Sequence, residues 1–194
     1  MPEAILFGCL VVGAILIVPL IWLAATYNRL VSVRQHLRES WSGVDVELKR
    51  RYDLVPNLVK TVQGYAAHER GLFERVAEIR SEAARVSASG HASGRLEGEL
   101  SRELHRLVAV AERYPELKAD RHFLELQKEL ALTEDRIAAS RRFYNANVRE
   151  LNTLCSTVPS SLVAGLFGFR SEEFFELDGA GERAAPSVDS ALGR

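Results

Sequence analysis

From Ala4 to Ala25 the chain reads AILFGCLVVGAILIVPLIWLAA, with no charged side chain anywhere in it. At about 1.5 Å of helical rise per residue, this stretch is long enough to cross a hydrocarbon core of roughly 30 Å. A transmembrane helix is predicted over residues 4–25, and the rest of the fold must start from one end of it. A cleaved signal peptide would want a basic N-terminal region and a shorter apolar run, whereas this chain opens Met-Pro-Glu. Lipid attachment at Cys9 fails because almost no apolar run precedes it and bulky Phe7 stands close by. Arg29, Arg34 and Arg38 follow the segment and no Lys or Arg precedes it. The positive-inside rule therefore places the C-terminal domain in the cytoplasm, an outward-facing domain being the alternative.

The 194 residues, 47% of them hydrophobic, suffice for one domain with its own core. Two cysteines, Cys9 and Cys155, give no disulfide framework. The formal net charge is −1, with the two signs interspersed. A nucleic-acid partner is excluded, because phosphate recognition needs a basic face.

Beyond the membrane segment the hydrophobic spacing is helical throughout. Leu30, Leu37, Trp41, Val44 and Leu48 form one apolar stripe, on a helix expected to run to about Tyr52. A second helix is expected over Leu58, Val62, Tyr65, Glu69, Leu72, Val76, Ile79, Ala83 and Val86, whose spacing alternates four and three like a coiled-coil seam. It ends in the small-residue loop from Ser87 to Gly94. A third helix carries Leu96, Leu100, Leu104, Leu107, Ala111 and Tyr114, and Pro115 stops it. Asp120 is a suitable N-cap for the fourth, which runs to Val158-Pro159. The predicted fold class is all-α: a transmembrane anchor (1–26), an antiparallel up-and-down four-helix bundle (27–157), an apolar and aromatic segment at its membrane side (158–178), and a disordered tail (179–194).

That topology puts "KRRYD" (Lys49–Asp53) and "YPELK" (Tyr114–Lys118) together at the end of the bundle farthest from the membrane. "LKRRYDLVPN" then reads as a helix-to-helix corner. Lys49, Arg50 and Arg51 would complement the negative end of one helix, Asp53 the positive end of the next, and Pro56 would sit in a first turn. A polybasic lipid patch is disfavoured by distance from the bilayer. The segment SLVAGLFGF, with Phe174 and Phe175, is expected to pack under the bundle or lie in the membrane interface.

No catalytic residue is predicted. His68-Glu69 lacks the second histidine of a zinc-protease helix, since Leu72 stands there. Cys155 and His122 lie at opposite ends of one helix, and Gly90 and Gly94 lack the context of a phosphate loop. Glu69 reads as a buried, register-fixing polar residue on the seam or as a snorkelling edge residue. A carboxylate site built from Glu69, Glu112 and Glu134 is the enzymatic alternative, weakened because none is followed three residues on by histidine.

The blocks "YNRLVSVRQHLRESWSGVDVELKRRYDLVPNLVKTVQGYAAHE", "YPELKADRHFLELQKELALTEDRIAASRRFYNANVRELNT" and "VPSSLVAGLFGF" resemble the LemA family of bacterial membrane proteins. The resemblance covers about Tyr27 to Phe169. It implies a helical bundle behind one N-terminal membrane helix in the bacterial inner membrane, and it brings no enzymatic activity or cofactor that could be carried over. Asp135, Leu151 and Val158 depart from the family's usual Asn, Tyr and Phe. The expected role is a non-enzymatic scaffold or adaptor, anchored through residues 4–25, with a protein partner or further copies of itself. No cofactor or metal is expected, and the sequence identifies no small-molecule substrate. Arg50, Arg51, Asp53, Asn57, Tyr114 and Lys118 are expected to form the tip surface that the partner reads.

Overall fold

The structure, a computed structural model, describes residues 2–90 and 92–176, without the side chains of 2–6, 9–12 and 14. The tail 179–194, expected to be disordered, lies outside the described residues. The described residues form six helices and no strand: α1 (Pro2–Gln63), α2 (Arg70–Ala88), α3 (Gly94–Ala111), α4 (Pro115–Lys118), α5 (Arg121–Ser156) and α6 (Ser160–Leu166). Two compact units share the long helices. Among the described residues, the first comprises 2–42 and 142–174, the second 43–90, 92–141 and 175–176.

In the first unit, the apolar side chains of α1 from Ile15 to Ile21 are all more than half exposed. A helix apolar on every side and covered by nothing is long and apolar enough to cross a membrane. Past Leu23 the pattern changes. Leu30, Val33 and Leu37 of α1 pack against Val148, Leu151 and Leu154 of α5, and Val163, Ala164 and Phe169 complete the cluster. Arg29–Glu150 at 3.3 Å and the Trp41–Tyr144 ring pair at 5.2 Å show the two segments running in opposite directions.

The end of α6 is set by one glycine. Gly168 has φ 71°, which a residue bearing a Cβ rarely adopts. The Phe169 N–H bonds back to the Ala164 carbonyl at 2.9 Å and the Gly168 N–H to Gly165 at 3.4 Å. This is the Schellman pairing, with the usual apolar contact between Phe169 and Ala164. Asn152 then clamps the following strand of chain: its amide donates to the Glu172 carbonyl at 2.9 Å and its carbonyl accepts from the Glu172 N–H at 2.8 Å.

In the second unit the expected corner at "LKRRYDLVPN" does not exist. α1 passes through it without interruption to Gln63. The stripe continues past Leu48 as Arg51, Val55, Leu58 and Val62, all buried, at spacings of three, four, three and four. Leu58 and Val62 therefore belong to α1, and the true break lies at 64–69, where Tyr65 and Ala66 both bond to the Val62 carbonyl. The regular spacing hid the break because the seams of α1 and α2 happen to keep step across it. Within this unit α1 and α2 are antiparallel: Ser87 bonds to Asp45 at 2.9 Å and Arg80 to Tyr52 at 3.0 Å. α1 and α5 are likewise opposed, through Arg50–Glu129 and Tyr65–Asp120. Asp120 caps α5 as expected, accepting from the Phe123 N–H at 2.9 Å.

Pro56 survives inside α1 because of its neighbour. A proline has no N–H, so the carbonyl four residues before it, that of Tyr52, loses its helical partner. The Arg80 guanidinium of α2 donates to that same carbonyl through Nε. Replacing Arg80 with Met leaves the carbonyl unpaired and is expected to cost about 1–3 kcal/mol. In a Pro56→Ala background the restored N–H takes over, and the Arg80→Met loss should shrink markedly. Equal losses in both backgrounds, measured by urea unfolding of the full chain in micelles, would refute this account. Gly168→Ala should cost about 1–2 kcal/mol by the same assay, because no atom lies within 4 Å of the added Cβ and only the backbone conformation resists it.

Candidate functional site

The most unusual side chain of the second unit is Arg51. As a member of the α1 stripe it points inward and is fully buried, as is Glu97 of α3. Its Nη2 donates to a Glu97 carboxylate oxygen. Its Nη1 donates to Glu134 of α5 and to Ser101 of α3, each at 2.8 Å. The Tyr52 hydroxyl donates to the second Glu97 oxygen, and Ser101 bridges to Glu134 at 3.3 Å. Among the described atoms only Arg51 Nε of the guanidinium lacks a partner.

Burial by itself would lower the Arg51 pKa, but the charges of Glu134 and Glu97 outweigh it and hold the guanidinium above its ordinary value. Burial first, and then the Glu97 charge, push the Tyr52 hydroxyl well above the range in which it could ionise. Arg51 and Glu97 are closed to solvent, whereas the Glu134 side chain is partly exposed. This arrangement can hold three helices in register.

The residues expected to form one tip surface are dispersed. Arg51 is buried and cannot face a partner, which corrects the expectation for it. Arg50 is half-buried and paired with Glu129 at 2.6 Å. Asp53 and Asn57 are exposed on α1. They do not end a helix: Arg51 stands about 18 Å before Gln63 at the helical rise. Tyr114 and Lys118 belong to the turn around α4, beside the true end of α1. There Tyr65 reaches Asp120 at 3.4 Å and Arg113 pairs with Glu69 at 2.9 Å.

The carboxylates Glu69, Glu112 and Glu134 are not assembled either. Glu69 is held by Arg113, Glu134 by Arg51, and Glu112 is exposed. Among the described residues no group of three or more His, Cys, Asp or Glu is placed to hold a metal ion.

One surface feature escaped the sequence reading. An open groove of about 650 Å³ runs between α2 and α3, floored by Leu72 and Val110, with Arg75, Arg106 and Arg113 along it. Each arginine is exposed and makes a local pair: Arg75 with Glu78 and Glu99, Arg106 with Glu103, Arg113 with Glu69. Groove and cations come from different helices, so no single stretch of sequence signals them.

All-helical architecture with one N-terminal helix fit to cross a membrane defines the class. The chain belongs to the LemA family, whose model matches residues 40–189. Magnetosome protein MamQ 2 of Paramagnetospirillum magneticum is 27% identical over 181 residues, covering 80% of this chain and 66% of the relative. Magnetosome protein MamQ of Magnetospirillum gryphiswaldense is 25% identical over the same length, with the same coverage. Protein LemA of Metamycoplasma hominis is 24% identical over 137 residues, covering 71% of this chain and 63% of the relative. The chain thus spans about two thirds of the length of these relatives.

If Arg51 is the buried tie described, Arg51→Met should destabilise the full chain by about 3–5 kcal/mol, because Glu97 is left buried and uncompensated. Arg50→Ala, at a half-exposed pair, should cost less than about 1 kcal/mol. Adding Glu97→Leu to Arg51→Met should recover most of the loss. Similar costs for the two arginines in chemical unfolding would return Arg51 to the surface.

Proposed function

We propose that this chain is a non-enzymatic, membrane-anchored helical scaffold that presents its second unit, as an up-and-down four-helix bundle, to a protein partner. Residues 4–25 anchor it in the bacterial inner membrane, and the arginines that follow them favour a cytoplasmic C-terminal domain. The observation that carries the reading is the α2–α3 groove, with an apolar floor and three exposed arginines. The pairs those arginines make are surface pairs of little net worth, so a partner's carboxylates can displace them cheaply. The fitting partner is an amphipathic helix with an apolar face and acidic flanks, laid into the groove. By contrast, the strongest charges of the unit are spent internally between Arg51, Glu97 and Glu134. Asp53, Asn57, Tyr114 and Lys118 do not line the groove and are kept as separate candidate contacts.

A photocrosslinking residue at Ala109, in the groove, should capture a distinct protein in native membranes. Arg106→Glu with Arg113→Glu should abolish that product while leaving the unfolding midpoint unchanged. A product containing only this chain would replace the separate partner by self-assembly. An adduct that survives the charge reversal would remove the groove from the proposal.

A further inference from the structure

We propose that α6 and the turn after it form a second membrane contact, seated in the lipid interface beside the point where α1 leaves the bilayer. No charged residue occurs from Thr157 to Phe169. The segment is two-sided in its packing. Val163, Ala164 and Phe169 lie in the core of the first unit, whereas Leu162 is 71% exposed, Leu166 72%, and Val158 80%. Leu162 and Leu166 stand one helical turn apart and share the outer face.

This outer face is held at a defined level. Tyr27, just beyond the apolar span, packs its ring on Phe167 at 4.6 Å and on Phe169 at 6.0 Å between centroids. Tyrosine and other amphipathic rings favour the headgroup level, so the contact fixes α6 at the height where the span emerges. The flanking cations suit the same position. Arg34 lies 4.6 Å over the Phe169 ring and Arg170 is exposed immediately after it, each able to meet a lipid phosphate. In water this patch would leave two leucines, a valine and a half-exposed Phe167 uncovered together. In the interface the same side chains enter the acyl boundary and the helix lies flat.

The inference rests on the reading of residues 4–25 as a span, and its test separates the two. The full chain carrying Cys9→Ala and Cys155→Ala receives a single cysteine at Ile17, Leu166 or Arg95 and an environment-sensitive nitrobenzoxadiazole label. Each form is reconstituted in vesicles of phosphatidylethanolamine and phosphatidylglycerol. The label at position 166 should be quenched by nitroxides near the lipid headgroup and be several-fold less quenched by aqueous iodide than the label at position 95. The label at position 17 should be quenched by nitroxides deep in the acyl chains. Iodide access at 166 equal to that at 95, with 17 still in lipid, overturns the interfacial seat and leaves the anchor standing. Iodide access at 17 overturns the anchor and the seat together. Protection at 166 that disappears as protein is diluted in lipid assigns the face to a second copy and overturns the lipid contact.

Discussion

A guanidinium with no exposed surface dictates the layout of the second unit. An isolated buried charge would cost several kcal/mol even after relaxation, so Arg51 can remain inside only where carboxylates reach it with good geometry. Glu97 and Glu134 come from α3 and α5, far away in sequence, and each must arrive at the height of Arg51 on α1. The apolar seams alone would tolerate sliding by a turn, since leucines at equivalent positions repeat along every helix. The charge cluster does not tolerate it. Glu97 also lies in the first turn of α3, where the helix dipole favours an anion, so one carboxylate neutralises Arg51 and steadies the start of its own helix.

Tyr52 extends the same constraint to α2. Its hydroxyl donates to Glu97, while its carbonyl, deprived by Pro56 of a helical donor, accepts from Arg80. Two irregularities that would each weaken α1 alone, an inward arginine and an interior proline, thus sit within two turns of one another and are answered by neighbouring helices. The polar seam that results joins α1 to three other helices at one level. Its value is register rather than net attraction, because a well-packed apolar seam of the same volume could be equally stable.

Much of this was legible in the sequence, and the failures share a cause. The long apolar N-terminal helix, the helical character of the rest, a break between α2 and α3 within the expected small-residue stretch, and the Asp120 cap each depend on residues close together in the chain. Within that stretch, however, Ser87, Ala88 and Gly94 are helical. The corner was misplaced because Lys49-Arg50-Arg51, an acid and a proline imitate the local signals of a helix end. What overrode those signals was remote: Glu97 lies 46 residues from Arg51, and Arg80 lies 28 residues from Tyr52. One local clue pointed the other way. Continuing the stripe past Leu48 lands on Arg51, Val55, Leu58 and Val62 in unbroken register, which no helix end would require. The groove between α2 and α3 had no comparable clue, because its floor and its arginines meet only after the two helices pack.

The sequence Leu166-Phe167-Gly168-Phe169 shows how a short stretch can divide its own side chains between two environments. A continued helix would turn residues 167 and 169 about 200° apart, and neither would be forced into the core. The positive φ of Gly168 instead folds the chain back, so that Phe169 bonds to Ala164 through its backbone and buries its ring, while Leu166 and Phe167 stay on the outer side. The exposure of Phe167 beside Leu166 is therefore a consequence of the turn. Since Tyr27 touches both rings, the turn that closes the core of this unit is also what orients its uncovered apolar face.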